Sequence, residues 1–348
     1  MLIRETAHPR ITAVVCSLNG EQRVGRCLAA LAAQRHDAFE VIVVDDGSTD
    51  ATGSIALAAG ARLVHHETPR GLSAARNAGI AEARGDVIAF TDDDCEPAAG
   101  WLAALEQTYR EHGIGRVCGV GGVVDAAGPA GPMLRYLQLN NPLEPVEREL
   151  DSNRSVRHRF GRYVVRNLAP RRERGVRDVR SLVGANMSFP RAALEAVGGF
   201  DDRFTFGSDD EDVCRRLRSR FRQRPLLVNP EARVRHWFEP SLRDTLRRSA
   251  AYGRGNARMS AIYGHGAIVF PFPVLVGALL AAGVRRPVLA GAAVVAPLVL
   301  FPRGPRAALR THDWVHLAAP YVQVLQESST NVGFVRGWRA ERRRTAAG

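Results

Sequence analysis

The sequence predicts an α/β fold on a mixed, mostly parallel sheet, followed by a C-terminal apolar helical segment. Three observations predict it. Short strands alternate with helix-patterned stretches through the first hundred residues. Those strands are continuous apolar runs, as expected where both faces of a sheet are covered. Polar clusters close several of them, at the end where such sheets bind ligands.

Ile11 to Leu18 is a β-branched apolar run closed by Asn19-Gly20, and behind it Val24, Leu28 and Leu31 recur at i, i+4, i+7. This is a strand, a loop and a helix. Phe39 to Val44 is a second strand ending in Asp45-Asp46-Gly47, after which Ser48 and Asp50 offer N-cap chemistry to a helix over Ile55 to Ala59. Ala61 to His65 forms a third strand, leading through Pro69-Arg70-Gly71 to a helix from Ala74 to Ala83. Val87 to Phe90 is the fourth and runs directly into Thr91-Asp92-Asp93-Asp94. Residues 125 to 180 hold five prolines and a dense arginine series from Arg154 to Arg180, and predict a loop-rich connection. Leu182 to Gly199 restores order, Trp237 to Met259 has helical spacing, and Ala267 to Phe301 is overwhelmingly apolar.

The chain has 348 residues and a net charge of +12, with 45% hydrophobic and 24% charged residues, which excludes disordered and collagen-like classes. An arginine-dominated excess suits a polyanion: nucleic acid, an anionic membrane face or a phosphorylated small molecule. Five widely spaced cysteines without a C-x-x-C pair argue against a zinc site or a disulfide framework. Residues 1 to 10 are expected to be an N-terminal extension and not a cleaved secretory signal, since they hold no apolar core. Neither a G-x-G-x-x-G nor a P-loop is present, so any nucleotide must be held by other means.

The acidic clusters at Asp45-Asp46 and Asp92-Asp93-Asp94 supply those means. Like charges held close together cost energy unless a cation or ligand stands between them. Hard oxygen ligands at the rim of a rigid sheet suit a divalent cation meeting phosphates.

Further segments make the pattern specific: Val14-Val15-Cys16-Ser17-Leu18-Asn19, Val43 to Asp50, Gly71 to Gly79 with Arg76-Asn77, Gly85 to Asp94, Gly184-Ala185-Asn186-Met187, Gly198-Gly199-Phe200-Asp201 and Asp209 to Val213. In this order they resemble a family 2 glycosyltransferase of the GT-A fold, with the GT-A domain over residues 11–240, its nucleotide-sugar half about 11–100 and its acceptor half about 101–240. The resemblance implies transfer of a sugar from a nucleotide-diphosphate sugar, of uridine or dTDP type, with inversion at the anomeric carbon. It makes Asp46 the carboxylate that holds the base, with Ser17 and Asn19 lining the same end. Arg76 and Asn77 match the family's Arg-Asn pair, where a guanidinium meets either diphosphate oxygens or neighbouring carboxylates. Asp92-x-Asp94 matches the family's D-x-D, whose carboxylates hold Mg²⁺ or Mn²⁺ on the donor diphosphate. Asp94 is the first choice as direct ligand, Asp92 meets metal, ribose or sugar, and Asp93 is an extra carboxylate that blurs the register. His236 resembles a histidine that some members place near the metal; otherwise it is a packed residue. Trp101 resembles a common tryptophan of the family, with core packing as its expected job. The general base falls at Asp210, with Asp212 as the alternative register.

The C-terminal region, 241–348, carries apolar runs from Ala267 to Val284 and Pro287 to Phe301, separated by Arg285-Arg286. About 20 residues are needed to cross a bilayer. A re-entrant or interfacial helical pair therefore competes with two spans and with a buried soluble hairpin. Flanking arginines favour an anionic membrane surface at the cytoplasmic face of the cell membrane over nucleic acid, and no zinc-finger spacing or RNA-stacking platform is visible. The expected acceptor is a lipid-linked or cell-envelope glycan, or a polyprenyl phosphate. An inactive nucleotide-sugar-binding scaffold of the same fold is the contrasting reading.

Overall fold

The structure is a computed structural model describing residues 10–147, 156–168, 175–204, 207–239, 241–264 and 270–347. Most of the expected N-terminal extension, much of the arginine series from Arg154 to Arg174, and the first residues of the run from Ala267 lie outside the described residues. The chain divides into two compact units: Met1–Ala127, Leu143–Glu149 and Glu173–Phe238 form one, and Gly128–Pro142, Leu150–Arg172 and Glu239–Gly348 the other.

The first unit opens with β1 (Ile11–Ser17), α1 (Val24–Ala32), β2 (Phe39–Asp45), α2 (Thr52–Ala58), β3 (Arg62–His65), α3 (Leu72–Glu82), β4 (Val87–Asp92), β5 (Cys95–Pro97), α4 (Trp101–His112) and β6 (Gly119–Ala127). The chain then supplies α5 (Pro132–Leu139) to the second unit, β7 (Val146–Glu147) to the first and α6 (Val156–Leu168) to the second. The first unit is completed by β8 (Arg177–Ser181), β9 (Met187–Pro190), α7 (Arg191–Ala196), α8 (Asp209–Arg220) and β10 (Leu226–Trp237). The second ends with α9 (Leu242–Tyr263), α10 (Pro271–Gly283), α11 (Pro287–Leu300), α12 (Arg303–Thr311), a 3₁₀ turn over Trp314–Ala318, and α13 (Ala319–Ala347).

The sheet order is β3-β2-β1-β4-β9-β6-β10-β8-β7, with β5 paired to β10. β1 pairs in parallel with β2 and β4, β2 with β3 and β6 with β10, whereas β9 is antiparallel to both β4 and β6. The mostly parallel sheet expected from the sequence is present. Its continuous apolar strands follow from burial on both faces, because successive side chains point to opposite sides. Ile11, Ala13 and Val15 pack with α1 and α4 residues such as Leu28, Trp101 and Leu105, while Val14, Ile42 and Phe90 pack with Ala75, Leu194, Val213 and Leu217 from the opposite helices. Trp101 is fully buried and its indole N–H donates to Asn186 Oδ1 at 2.9 Å.

Two local readings change. Ala51, not Ser48 or Asp50, occupies the N-cap of α2; Asp50 accepts the Thr52 N–H at 3.0 Å, and Ser48 Oγ accepts the Asn19 N–H at 2.9 Å. Residues 125–180 are not mainly loop, since they hold α5, α6 and β8. The arginines of α6 hide an aromatic stripe: Phe160 and Tyr163 both meet Phe272 of α10 edge to face. Among the described residues no single helix is long and apolar enough to cross a membrane, although α11 and α12, bent by 70°, pass together.

Candidate active site

Register brings the polar strand ends together. Ser17 lies opposite Asp45 and Cys16 opposite Asp92, so the carboxyl ends of β1, β2 and β4 share one edge. β5 then turns back along β10 and pairs Cys95 with His236. Two segments remote in sequence thus meet: ligand atoms of Asp92, Asp94, Cys95 and His236 lie within 4.8 Å of one another, with His236 Nε2 3.3 Å from Asp94 Oδ1. His236 and Cys95 are buried, Asp92 and Asp94 partly exposed. Burial and the surrounding aspartates push the Cys95 thiol well above its usual range. Two carboxylates and an imidazole stand beside it, and such carboxylate oxygens are donors that can hold a divalent cation. Asp93 points elsewhere. It accepts from Ser17 Oγ at 2.5 Å and from Arg23 at 3.0 Å.

Arg76, buried on α3, is the electrostatic centre of the rim. Its guanidinium pairs with Asp209 and reaches Asp92 at 3.4 Å, so it bonds neighbouring carboxylates on both the strand side and the α8 side. It lies close over Gly184, where a Cβ would stand 2.8 Å from Arg76 Nη2 and make the guanidinium shift. The backbone N–H of Gly184 also donates to Asp210 Oδ2 at 3.0 Å.

α8 begins after Ser208, whose φ of 66° is left-handed, and presents Asp209, Asp210, Glu211 and Asp212 in its first turn. Carboxylates there are favoured by the helix dipole. Their partners separate them. Asp209 is taken by Arg76, Glu211 by Arg180 at 2.7 Å, and the buried Asp212 by Arg216 at 2.7 Å. Among the described residues, Asp210 is bonded only by backbone N–H groups, those of Gly184 and Glu211. Desolvation, then the Asp209 charge, pushes Asp210 up to about 7, against the opposing pull of Arg76 and of those two N–H groups.

Asp46 is buried at the end of β2 and fully engaged. His66 Nδ1 lies 2.6 Å from Oδ1, and the N–H groups of Arg70 and Gly71 donate at 3.0 and 2.8 Å. Gly71 reaches it with a φ of 94°, a conformation glycine adopts without steric cost. Asn19, also at positive φ, ties the first loop to the second by accepting from Thr49 N–H at 3.0 Å. Asn77 faces the loop at Phe200. Its amide donates to Phe200 O and Asp202 Oδ1, both at 2.9 Å, and its oxygen accepts from Phe200 N–H, so it fastens the 200–202 loop.

Sequence reasoning missed His66, Arg23, Gly184 and Asp209 as members of this neighbourhood. Gly184 and Asp209 carried a signal, as members of the segments Gly184–Met187 and Asp209–Val213, though not of these contacts. His66 and Arg23 depend on contacts across 20 and 70 residues of sequence, with Asp46 and Asp93.

The sequence matches the family model described as glycosyl transferase family 2 over residues 12–167 and that of glycosyl transferase family group 2 over residues 155–344, more than half of the chain. The chain belongs to the family 2 glycosyltransferases. It is 29% identical over 296 residues to the pre-mycofactocin glycosyltransferase of Mycobacterium tuberculosis, an alignment covering 81% of this chain and 55% of that protein. The chain therefore spans about half the length of this curated relative. Glycosyltransferase AglE of Haloferax volcanii is 32% identical over 127 residues, covering 34% of this chain and 38% of AglE. The structure resembles the mannosyltransferase PcManGT from Pyrobaculum calidifontis, solved with GDP-Man and Mn²⁺, with a TM-score of 0.56 and 19% identity over 96% of this chain and 89% of that one. That likeness extends the family assignment to the fold.

Proposed function

We propose that this family 2 glycosyltransferase moves a sugar from a nucleotide-diphosphate sugar to a hydroxyl of a lipid-linked or cell-envelope glycan, with inversion and with Asp210 as general base. The observation that carries the reading is the Asp92, Asp94 and His236 cluster, linked through Asp92–Arg76–Asp209 to the helix turn that bears Asp210. Asp92, Asp94 and His236 would hold Mg²⁺ or Mn²⁺. When bound, the cation supplies Lewis-acid neutralisation of charge developing on the leaving diphosphate.

The protein's own groups divide the remaining work. Asp46, held by His66 and two backbone N–H groups, keeps the base end of the donor pocket in one geometry. Ser17 and Asn19 line the same strand end. Arg76 offsets Asp92 and Asp209, so that the rim does not repel a diphosphate as strongly. An in-line displacement needs a base on the acceptor side. Asp210 suits the task because its three neighbours are consumed by arginines, and a base that titrates near 7 is half ionised at neutral pH.

The donor is testable before the acceptor is known. A screen of nucleotide sugars, GDP-mannose and UDP- and dTDP-sugars included, should find one that raises the thermal unfolding midpoint only with Mn²⁺ or Mg²⁺ and is slowly hydrolysed. Asp94→Asn should abolish the metal requirement together with hydrolysis. Metal-dependent binding with no turnover on any acceptor would favour an inactive scaffold, and an α-linked product from an α-linked donor would refute inversion.

A further inference from the structure

Within the helical unit, α10 and α11 form an antiparallel hairpin. At its closed end Gly283 packs on Ala290, where a Cβ would stand 2.7 Å from the Ala290 nitrogen; at its open end the Phe272 and Phe301 rings meet edge to face at 5.4 Å. Val276, Ala293 and Pro297 are buried between these ends. The outer surface is apolar as well. Val284 is 86% exposed and Val288 83%, and Val274, Leu280, Val294 and Val299 are also exposed.

No charged side chain occurs from 271 to 284 or from 287 to 302, yet exposed Arg285 and Arg286 stand together at the connection. Leu309, Arg310 and Trp314 add exposed apolar, basic and aromatic groups beyond α11. A helix that is apolar all round belongs against other apolar matter, and a water-facing hairpin carries a polar outer stripe that this one lacks.

We propose that the hairpin lies in the plane of an anionic bilayer leaflet, with its valines at the headgroup–acyl boundary and Arg285, Arg286 and Arg310 on lipid phosphates. Neither helix of the hairpin reaches the length of a span by itself, and α11 passes only together with α12, across a 70° bend. The helices have 13 and 14 residues, which gives about 20 Å each at 1.5 Å per residue, against a hydrocarbon core of about 30 Å. Tip-first insertion would carry two adjacent guanidiniums into hydrocarbon, whereas an in-plane hairpin lets them reach the headgroups while their stems cover apolar surface. Charge selects the occupant. All 48 cationic residues of the chain are arginines, whose planar fork bonds phosphate oxygens in pairs, while a second copy of the same hairpin would offer Arg285 and Arg286 only like charge or uncharged surface.

This surface stands on the helical unit alone and does not rest on the sugar-transfer reading, so its test reads lipid binding. The full chain is sedimented with phosphatidylcholine vesicles, with and without phosphatidylglycerol. The expected result is capture by the anionic vesicles that weakens with salt. Val284→Glu combined with Val288→Glu should lower the bound fraction at least about tenfold with the thermal unfolding midpoint unchanged. Arg285→Gln with Arg286→Gln should erase the preference for phosphatidylglycerol. An Arg286→Cys variant should react with a membrane-impermeant maleimide added to intact vesicles. The proposal is overturned if that thiol reacts only after detergent, if the valine pair does not affect sedimentation, or if the chain ignores both vesicles and instead forms a dimer that the valine pair dissociates.

Discussion

The same residue type is weighted toward opposite work in the two units, although Arg248 and Arg258 of the helical unit also hold carboxylates, those of Asp244 and Glu341. In the sheet unit, arginines are drawn inward to hold carboxylates: Arg76 on Asp209 and Asp92, Arg216 on Asp212, Arg218 on Asp178 at 2.9 Å. In the helical unit, Arg285, Arg286, Arg310, Arg336, Arg339, Arg342 and Arg343 are exposed beside apolar surface. The net charge of +12 is thus not a property of the candidate active site. That site is an acidic rim with arginine counter-charges built into its wall, and the unneutralised excess is displayed by helices. An overall charge says little about what a protein binds until each charge is assigned a partner.

The strongest way to break this contrast is to remove the one acidic residue of α8 that has no arginine. Asp210→Asn should lower transfer by about 10²- to 10⁴-fold in single-turnover assays while donor affinity stays near the parent value. The parent rate should rise with pH through about 7, as Asp210 ionises. Its stability should move the other way. A carboxyl whose pKa is raised by folding favours the protonated fold, so its contribution is complete below the unfolded value near 3.8 and is lost as pH rises through about 7. Asp210→Asn should therefore unfold at a higher temperature than the parent at pH 8, measured in chelator. Water at the partly exposed carboxylate limits the gain to roughly 2 kcal/mol, and it should vanish by pH 4.

A buried counter-charge should cost more stability than any exposed one. Arg76→Met leaves Asp209 buried without its partner and should destabilise the protein by about 3–5 kcal/mol in chemical unfolding. His66→Ala removes one of three donors on buried Asp46 and should cost about 1–3 kcal/mol. If the loop from His66 to Gly71 shapes the donor pocket, the same variant should raise KM for the nucleotide sugar more than it lowers kcat. At the small end, Arg342→Ala loses a guanidinium 4.5 Å from the exposed Trp338 ring and should shift stability by no more than about 0.5–1 kcal/mol. A larger loss at Arg342 than at Arg76 would reverse the contrast.

The parallel strands were legible because burial on both faces writes itself as unbroken apolar runs, and the acidic clusters because they close those runs. α6 was not legible: the arginines interspersed along it mask the aromatic contacts from Phe160 and Tyr163 to Phe272, which exist only once residues 109 and 112 positions apart have packed. Asn77 shows the converse. Its motif is clear in the sequence, but its amide partners, Phe200 and Asp202, are more than 120 residues away and known only from the fold.

By itself the sequence determined the α/β class, the family resemblance and which strand ends bear carboxylates. These depend on local periodicity and on residue types a few positions apart. Only the tertiary structure decided that His236 meets Asp94 through the β5–β10 pairing, that Arg76 bridges Asp92 and Asp209, and that Asp210 stands apart from three arginine-paired neighbours. Electrostatic partnership falls off over a few ångströms of space, so it is fixed by which remote segments the fold brings within that reach.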